Sequence, residues 1–354
     1  MDQSASPGRV VARAAYAARQ AARVAWFMGH GLVMRQLRQR ASRPPVTPRT
    51  RLPVPSNERI LADMARLFAR DLANVEAGIY PMPRDGDGPP AMRLARSGAF
   101  LADLPRVHVR RRQGRVREVE VEAEVAGRAR PGYYMQNFHF QSGGWLTEGS
   151  ARIYDTQVEV LFKGSANAMR RQLLVPLRDF ISGRDQRRLR LLDIGCGTGR
   201  FLRFVAQTFP RLASIGIDLS DTYLGEARRH LKNRHRTSLA LAKGEELPFA
   251  GASFDCVTSL FLFHELPGEI RIQLVREMAR VLRPGGRVLL LDSLQYGDVP
   301  DYDGLLDLFP QSFHEPYFAD YMGEDLRALF AAAGLRRVVE EPAFMAKVSV
   351  FEKS

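Results

Sequence analysis

The sequence predicts an α/β protein whose carboxyl-terminal half is a mostly parallel sheet of seven strands. From about residue 188, apolar strand-like segments alternate with amphipathic helical ones, as in parallel sheets covered by helices. A loop rich in glycine directly follows the first strand, in "LLDIGCGTGR" at 191–200. An acid, Asp218, closes the next strand, in "IGIDLS". These three observations together place a ligand crevice at the carboxyl ends of the strands.

The seven predicted strands are short, apolar and bounded by turn residues. In chain order they are RLRLLDI, ASIGIDL, TSLALAKG, SFDCVTSLFLF, RVLLLDS, RRVVEE and MAKVSVFE. Helices are predicted between them, and one begins after Ser220, whose hydroxyl suits an N-cap. We assign residues 185–354 to this domain.

Residues 1–52 are predicted to be a basic amphipathic arm followed by a linker. They carry ten Arg, no Lys and one acid, which leaves 42 basic and 38 acidic residues elsewhere, of 52 and 39 in the whole chain. In a helix of about 3.6 residues per turn, one apolar stripe contains Val10, Ala14, Ala17, Ala21, Val24, Met28 and Leu32. Such a helix suits an anionic membrane surface. A partly disordered tail, a partner-docking helix and an organellar transit peptide are the alternatives.

The cysteine count and the apolar runs bear on the compartment. Cys196 and Cys256 are the two cysteines, and no CxxC motif occurs, so we expect a reducing compartment and no structural zinc site. No apolar run reaches about 20 residues, the length that a membrane-spanning helix needs. We therefore expect a cytoplasmic protein with possible peripheral contact to a membrane surface.

Residues 53–184 are predicted to be an accessory α+β region. A helix is predicted from Ser56 to about Ala77, and alternation in "RVHVRRRQGRVREVEVEAEV" predicts a hairpin. In that hairpin Val107 and Val109 would face Val119, Val121 and Val125.

An aromatic-rich segment, 133–162, lies between this region and the sheet. If it were extended, Asn137, His139 and Gln141 would share one face and Phe138 and Phe140 the other. Two interpretations stay open: the segment helps to build or cover a site, or it packs as core against the next domain.

The glycine loop favours a cationic nucleoside ligand over an anionic one. Without β-carbons, Gly195, Gly197 and Gly199 allow backbone N–H groups to approach a ligand closely. The third glycine of a dinucleotide fingerprint is replaced by Arg200, and no Walker motif is present. Asp193, ahead of the glycines, would repel a pyrophosphate but suits a ligand with cationic groups. Asp218, 25 residues further on, is placed to accept both hydroxyls of a ribose.

The motifs from "LLDIGCGTGR" through "GIDLS", "GEELPFAGASFDCVTSLFLFHEL" and "MARVLRPGGRVLLLD" resemble class I S-adenosylmethionine-dependent methyltransferases, most of all the branch of ubiquinone and menaquinone C-methyltransferases. The resemblance covers roughly residues 188–350 and implies a Rossmann-like fold with S-adenosylmethionine as cofactor. The residues that it implies for cofactor binding are Asp193, Gly195, Cys196, Gly197, Gly199, Asp218, Leu219, Gly244, Glu245 and Leu260.

Within this set, the resemblance gives the methionine end of the cofactor to Asp193 and the glycines, the ribose to Asp218 and the adenine to Leu219. In the family, an acid before "LPF" accepts a hydrogen bond from the adenine amino group. Here Lys243 takes its place, and a lysine side chain has no hydrogen-bond acceptor. Adenine recognition is therefore expected to use Gly244 or Glu245. Cys196 is expected to be a small loop side chain rather than a reactive thiol.

His264, in "FLFHEL", and His139 are the candidate catalytic residues, with His314 and Tyr317 ranked behind them. The favoured function is methyl transfer to a small apolar acceptor, quinone-like or lipid-derived, at carbon or oxygen. The alternatives are an RNA or protein methyltransferase that uses the basic arm, and a cofactor-binding protein without catalysis. Nucleic acid is the less expected partner, because "SLFLFHEL" lacks the Asn/Asp-Pro-Pro-aromatic stretch of amino-methylating enzymes.

Overall fold

The computed structural model describes residues 7–39, 49–85, 87–119 and 130–354. The helices in these ranges are α1 (Pro7–Gln39), α2 (Asn57–Glu76), α3 (Pro90–Gln113), α4 (Glu148–Leu161), α5 (Ala166–Gln172), α6 (Leu174–Ile181), α7 (Arg200–Thr208), α8 (Asp221–His230), α9 (Gly268–Val281), α10 (Asp303–Ser312), α11 (Phe318–Met322) and α12 (Leu326–Ala331). The strands are β1 (Arg190–Ile194), β2 (Ala213–Asp218), β3 (Thr237–Leu241), β4 (Phe254–Leu260), β5 (Leu282–Ser293), β6 (Leu335–Ala343) and β7 (Ala346–Lys353).

The sheet has the order β3-β2-β1-β4-β5-β7-β6. Strands β1 to β5 run parallel to one another, and β7 pairs antiparallel with both β5 and β6. All seven predicted strands are confirmed. The order reverses at β1, which lies between β2 and β4, and the carboxyl end of β1 is the switch point where open α/β sheets bind ligands.

Both faces of the sheet are covered, which explains why its central strands are continuously apolar. In β5, Leu289 and Leu291 belong to one core cluster, whereas Val288 and Leu290 belong to the other. Successive side chains of a strand point to opposite faces. The two clusters are therefore the cores on the two sides of one sheet.

The accessory region is helical where it is described, and the predicted hairpin is wrong. Val107 and Val109 lie in α3, and Val119 lies in a short helical segment, while Val121 and Val125 fall outside the described residues. Phe100 and Leu104 are buried one helical turn apart in α3. That helical stripe, with a proline at its start and Gly114 in the left-handed region after its end, outweighs a few alternating valines.

The predicted helix in the arm is confirmed, but α1 buries a different face from its apolar stripe. The buried residues are Tyr16, Gln20, Arg23, Phe27 and His30. The predicted apolar stripe is largely exposed, and Val10 and Leu32 keep 54% and 65% of their surface accessible. Ion pairs and hydrogen bonds to the protein body decide which face is buried. None of the helices in the described part of the chain is long and apolar enough to cross a membrane.

Candidate functional site

The glycine loop connects β1 to α7 and needs its glycines for conformation and space. Gly195, Gly197 and Gly199 have φ of 69°, 52° and 74°, a region that side chains disfavour. A β-carbon on Gly199 would also lie 3.1 Å from the β-carbon of Ala227 in α8. The loop is thus shaped so that its backbone faces the end of the sheet.

Asp218 stabilises this loop by hydrogen bonds and also lines a crevice at the carboxyl ends of the strands. Its carboxylate accepts hydrogen bonds from the backbone N–H groups of Gly197 and Ser220, each at 2.8 Å. Burial raises the pKa of Asp218, while these hydrogen bonds act in the opposite direction. A half-buried carboxylate that lines a crevice is suited to accept hydrogen bonds from hydroxyl groups of a ligand.

Asp193 has a different position. Its side chain is 2% exposed and accepts a hydrogen bond from the Thr258 hydroxyl at 2.7 Å. Burial raises the pKa of Asp193 to about 7. The residue lies behind the glycine loop and does not line the crevice.

Seven of the ten predicted cofactor residues line one crevice, whereas Asp193, Cys196 and Gly199 do not. Those that line it are Gly195, Gly197, Asp218, Leu219, Gly244, Glu245 and Leu260. Cys196 is buried nearby, and burial raises the pKa of its thiol, which does not favour a reactive thiolate. Lys243 lies outside, 3.5 Å from Glu246.

The charge of the crevice fits the cofactor that the resemblance implies. Among the described residues that line it, Asp218, Glu245 and Glu265 are acidic and none is Lys or Arg. A β-carbon on Gly195 would lie 3.0 Å from Leu262 in the wall, so the glycine keeps the cradle open. An adenosine that carries a positively charged sulfur fits this set of groups, whereas a polyphosphate would meet uncompensated negative charge.

Aromatic residues of the accessory region cover the crevice. Tyr133, Tyr134, Trp145 and Tyr154 all line it. The Tyr133 hydroxyl donates to Glu245 Oε1 at 2.8 Å, and the Trp145 carbonyl accepts from Ser220 Oγ at 2.6 Å. The aromatic-rich segment thus helps to build the site.

A second cavity of about 270 Å³ adjoins the crevice. Most of its wall is apolar, from α4, α10 and the loops that follow β4 and β5. One end is polar and is formed by His139, His264, Glu265 and Glu315. Both candidate catalytic histidines therefore lie in this cavity and outside the crevice.

His264 is held by an acid at the end of β5. Its Nδ1 lies 2.5 Å from Asp292 Oδ1, and Asp292 also accepts from the backbone N–H groups of Leu262 and Phe263. Burial lowers the pKa of His264, but the Asp292 carboxylate more than offsets this and the pKa is about 9. The His264 imidazole is therefore cationic near neutral pH and is not suited to accept a proton as a general base.

His139 lies between two buried carboxylates. Its Nε2 contacts Glu315 Oε1 directly and lies 3.7 Å from Glu265 Oε1. Burial lowers the pKa of His139, whereas Glu315 and Glu265 raise it to about 10. Burial and the neighbouring Glu315 raise the pKa of Glu265, while the histidines hold the pKa of Glu315 below its usual value.

The segment 136–141 is not extended, so the alternation of faces considered above does not apply. Phe138–Phe140 is a short 3-10 helix in which His139 has φ of 55°. The backbone N–H of His139 donates to the His314 carbonyl at 3.1 Å, and this turn aims the imidazole at Glu315. His314 and Tyr317 contact Gln136 instead and line neither cavity.

Sequence reasoning missed Glu315 and Asp292. A signal for the first was present, because the Phe-His pair occurs three times, at 138–139, 263–264 and 313–314. Two of these pairs are followed by Glu, at Glu265 and Glu315. The three segments converge in the fold, although 174 residues of sequence lie between His139 and His314.

Comparison with known proteins places the chain in a family. Residues 191–286 match the model described as "Methyltransferase domain". The demethylmenaquinone methyltransferase of Bacillus licheniformis is 30% identical over 173 residues, which cover 43% of this chain and 72% of that protein. The fatty-acid O-methyltransferase of Mycolicibacterium smegmatis is 34% identical over 121 residues, 33% of this chain and 42% of that protein.

Among solved structures, the geranyl diphosphate C-methyltransferase of Streptomyces coelicolor is similar at 13% identity and a TM-score of 0.42, over 57% of this chain and 84% of that one. The matched segment spans less than half of the fatty-acid O-methyltransferase. The match to the demethylmenaquinone enzyme covers more than two thirds of its length. The chain belongs to the class I S-adenosylmethionine-dependent methyltransferases.

Proposed function

We propose that this protein transfers a methyl group from S-adenosylmethionine to a small, largely apolar acceptor at carbon or oxygen. The observation that carries the proposal is the shared wall of the two cavities. Tyr154, Phe261 and Glu265 line both the crevice and the second cavity. A donor in the first and an acceptor in the second would therefore meet beside Glu265.

The roles of the chain's residues follow from this arrangement. S-adenosylmethionine supplies an activated methyl group on a positively charged sulfur. Asp218 accepts hydrogen bonds from the ribose, and Gly244 and Glu245 border the adenine. The aromatic cover formed by 133–154 excludes water, and the alignment of donor and acceptor supplies most of the rate.

The acceptor is proposed to be an apolar molecule with one polar group. The second cavity offers an apolar wall and one polar end, which suits a molecule of that shape. Glu265 borders both cavities, and burial beside Glu315 raises its pKa, so it is the carboxylate suited to hold a proton released by an acceptor hydroxyl. The two relatives named above act, by their names, on demethylmenaquinone and on fatty acids.

The structure does not favour the RNA alternative. Several arginines of α1 are engaged within the protein, since Arg13 pairs with Glu76 at 2.6 Å and Arg23 pairs with Glu159 at 2.7 Å. Arg19 donates to the Pro83 carbonyl at 2.5 Å. Charges that are already paired contribute less to binding a phosphate backbone.

Peripheral membrane contact through α1 is part of the proposal. Val10, Val11 and Leu32 are exposed on a helix that also exposes Arg9 and Arg35, the composition of an interfacial helix. Deletion of α1 would remove buried residues such as Phe27 and destabilise the body. The double variant Val10→Gln/Leu32→Gln is the cleaner test, and we expect it to weaken binding to anionic vesicles without changing the melting temperature.

Incubation of the protein with methyl-labelled S-adenosylmethionine and separate lipid, quinone, RNA and protein fractions tests the function. We expect label in a small apolar product from the lipid or quinone fraction. Label confined to RNA or protein would support the other enzyme class. Tight cofactor binding without transfer to any fraction would support a protein that binds the cofactor without catalysis.

A further inference from the structure

The second cavity, proposed above to hold the acceptor, is called the acceptor cavity from here on. Three distant segments bring a histidine and two glutamates together at its polar end. His139 comes from the aromatic cover, Glu265 from the loop after β4 and Glu315 from the segment between α10 and α11. The side chains of Glu265 and Glu315 are 7% and 0% exposed, and that of His139 is 12% exposed. Two carboxylates are thus buried side by side around one imidazole.

Several polar atoms of these side chains contact one another but make no hydrogen bond to the rest of the protein. Both carboxylate oxygens of Glu315, Oε2 of Glu265 and Nε2 of His139 are buried and make no hydrogen bond of regular geometry. Buried carboxylates without such partners are expensive unless they are paired or bind a cation. The cluster is therefore built around positive charge.

The geometry suits one small cation. One ligand atom from each of the three residues lies within 4.8 Å of the others. A first-row divalent ion sits roughly 2.0–2.2 Å from nitrogen and oxygen ligands, so a single ion can reach all three once the side chains adjust around it. The contact between His139 and Glu315 would open to admit it.

Metal binding would displace the proton that His139 Nε2 directs at Glu315, and the surroundings of the ring then leave Nε2 available as a ligand. Nδ1, on the other side of the ring, lies 3.4 Å from the Gln157 side-chain amide, whose Oε1 is buried without a hydrogen-bond partner. Turning that amide about its bond lets Oε1 accept from Nδ1–H. Nε2 then carries the lone pair toward the carboxylates, which is how metal-binding histidines are usually oriented.

We propose that His139, Glu265 and Glu315 bind one first-row divalent cation at the polar end of the acceptor cavity. One imidazole with two carboxylates suits Mn²⁺, Fe²⁺ or Zn²⁺ better than Ca²⁺. Three protein ligands leave positions open toward the cavity. There the ion binds an oxygen of the acceptor, a phenol, enol or carboxylate, and this last step rests on the proposed function.

Titration of the chelator-treated full-length protein with Mn²⁺, followed by electron paramagnetic resonance and calorimetry, tests the proposal. We expect one site, with nitrogen hyperfine coupling from His139 in the bound Mn²⁺. Glu315→Gln and His139→Gln are each expected to weaken Mn²⁺ binding by about 100-fold, and His139→Gln to abolish the nitrogen coupling. The control Glu341→Gln removes an exposed carboxylate that pairs with Arg70 and leaves the affinity unchanged.

Wild-type protein that binds neither Mn²⁺ nor Zn²⁺ stoichiometrically would overturn the proposal and leave the protonated imidazoles of His139 and His264 as the positive charge beside the two carboxylates. Affinity that is unaffected by Glu315→Gln would overturn it as well. Sinefungin binding is measured in parallel, because His139 and Glu315 line only the acceptor cavity and their variants should keep it. Failure of sinefungin to bind, with Mn²⁺ binding intact, would reject the proposed function and leave the cation site standing.

Discussion

The cofactor crevice and the acceptor cavity share a wall but are built in different ways. The crevice is assembled mainly from consecutive βα units, with the glycine loop after β1 and Asp218 at the end of β2. The acceptor cavity takes residues from α2, α4, the loop after β4 and the segment from α10 to α11. The first site is thus encoded by short local motifs, and the second by long-range packing.

The largest loss of turnover is expected from a substitution in the wall that the two cavities share. Glu265→Gln removes the carboxylate that borders both cavities, and we expect turnover to fall by about 10²- to 10⁴-fold, the usual range for a positioned acid or base. Steady-state kinetics with methyl-labelled donor measure it. Turnover within threefold of wild type would show that the reacting groups do not meet at Glu265.

Within the crevice, Asp218→Ala is expected to weaken sinefungin binding at least tenfold, because each hydrogen bond to a charged acceptor contributes roughly 1.5–3 kcal/mol. Isothermal titration calorimetry measures the affinity. Asp301→Ala serves as the matched control, since its carboxylate is exposed and pairs with Arg59. Equal affinities for the two variants would remove Asp218 from the ribose site.

Within the acceptor cavity, Leu305→Trp narrows the apolar wall without touching the crevice. We expect the KM for the acceptor to rise about tenfold or more while the affinity for sinefungin changes less than twofold. Leu61→Trp, at an exposed position of α2, controls for the added ring. A parallel loss of cofactor affinity in Leu305→Trp would mean that the two cavities are not separable.

The smallest effect is expected from substitution of Asp193, which lies behind the glycine loop, and it concerns thermal stability. Its folded-state pKa of about 7 lies above the usual 3.8, so its contribution to stability is full below pH 4 and is lost as pH rises through 7. The difference in Tm between Asp193→Asn and the wild type should therefore increase in favour of the variant by about 5 °C from pH 5 to pH 8. Thermal unfolding without cofactor measures this, and a pH-independent difference would contradict the assigned ionisation.

The same contrast explains what could be predicted from the sequence. Strands β1 to β7 follow from apolar runs and turns, and the crevice from glycines and acids at fixed spacing. Asp193 was expected to contact the cofactor, but it lies at the end of β1 behind the glycine loop, because spacing does not tell which side of a strand end a side chain occupies.

The acceptor cavity could not be predicted in this way. His139 lies in a left-handed turn that a backbone hydrogen bond to His314 holds, and its local sequence does not reveal this. Glu315 is 50 residues from Glu265 and has no local motif that ties it to β4. In α3 the alternating valines favoured strands, whereas burial of Phe100 and Leu104 against neighbouring helices decided for a helix.

A crystal structure of the protein with sinefungin tests the central claim most directly. The account predicts that the ribose hydroxyls lie within hydrogen-bond distance of Asp218 and that the amine in place of the sulfonium methyl points past Glu265 into the acceptor cavity. Sinefungin bound elsewhere, or with that amine directed away from Glu265, would contradict it.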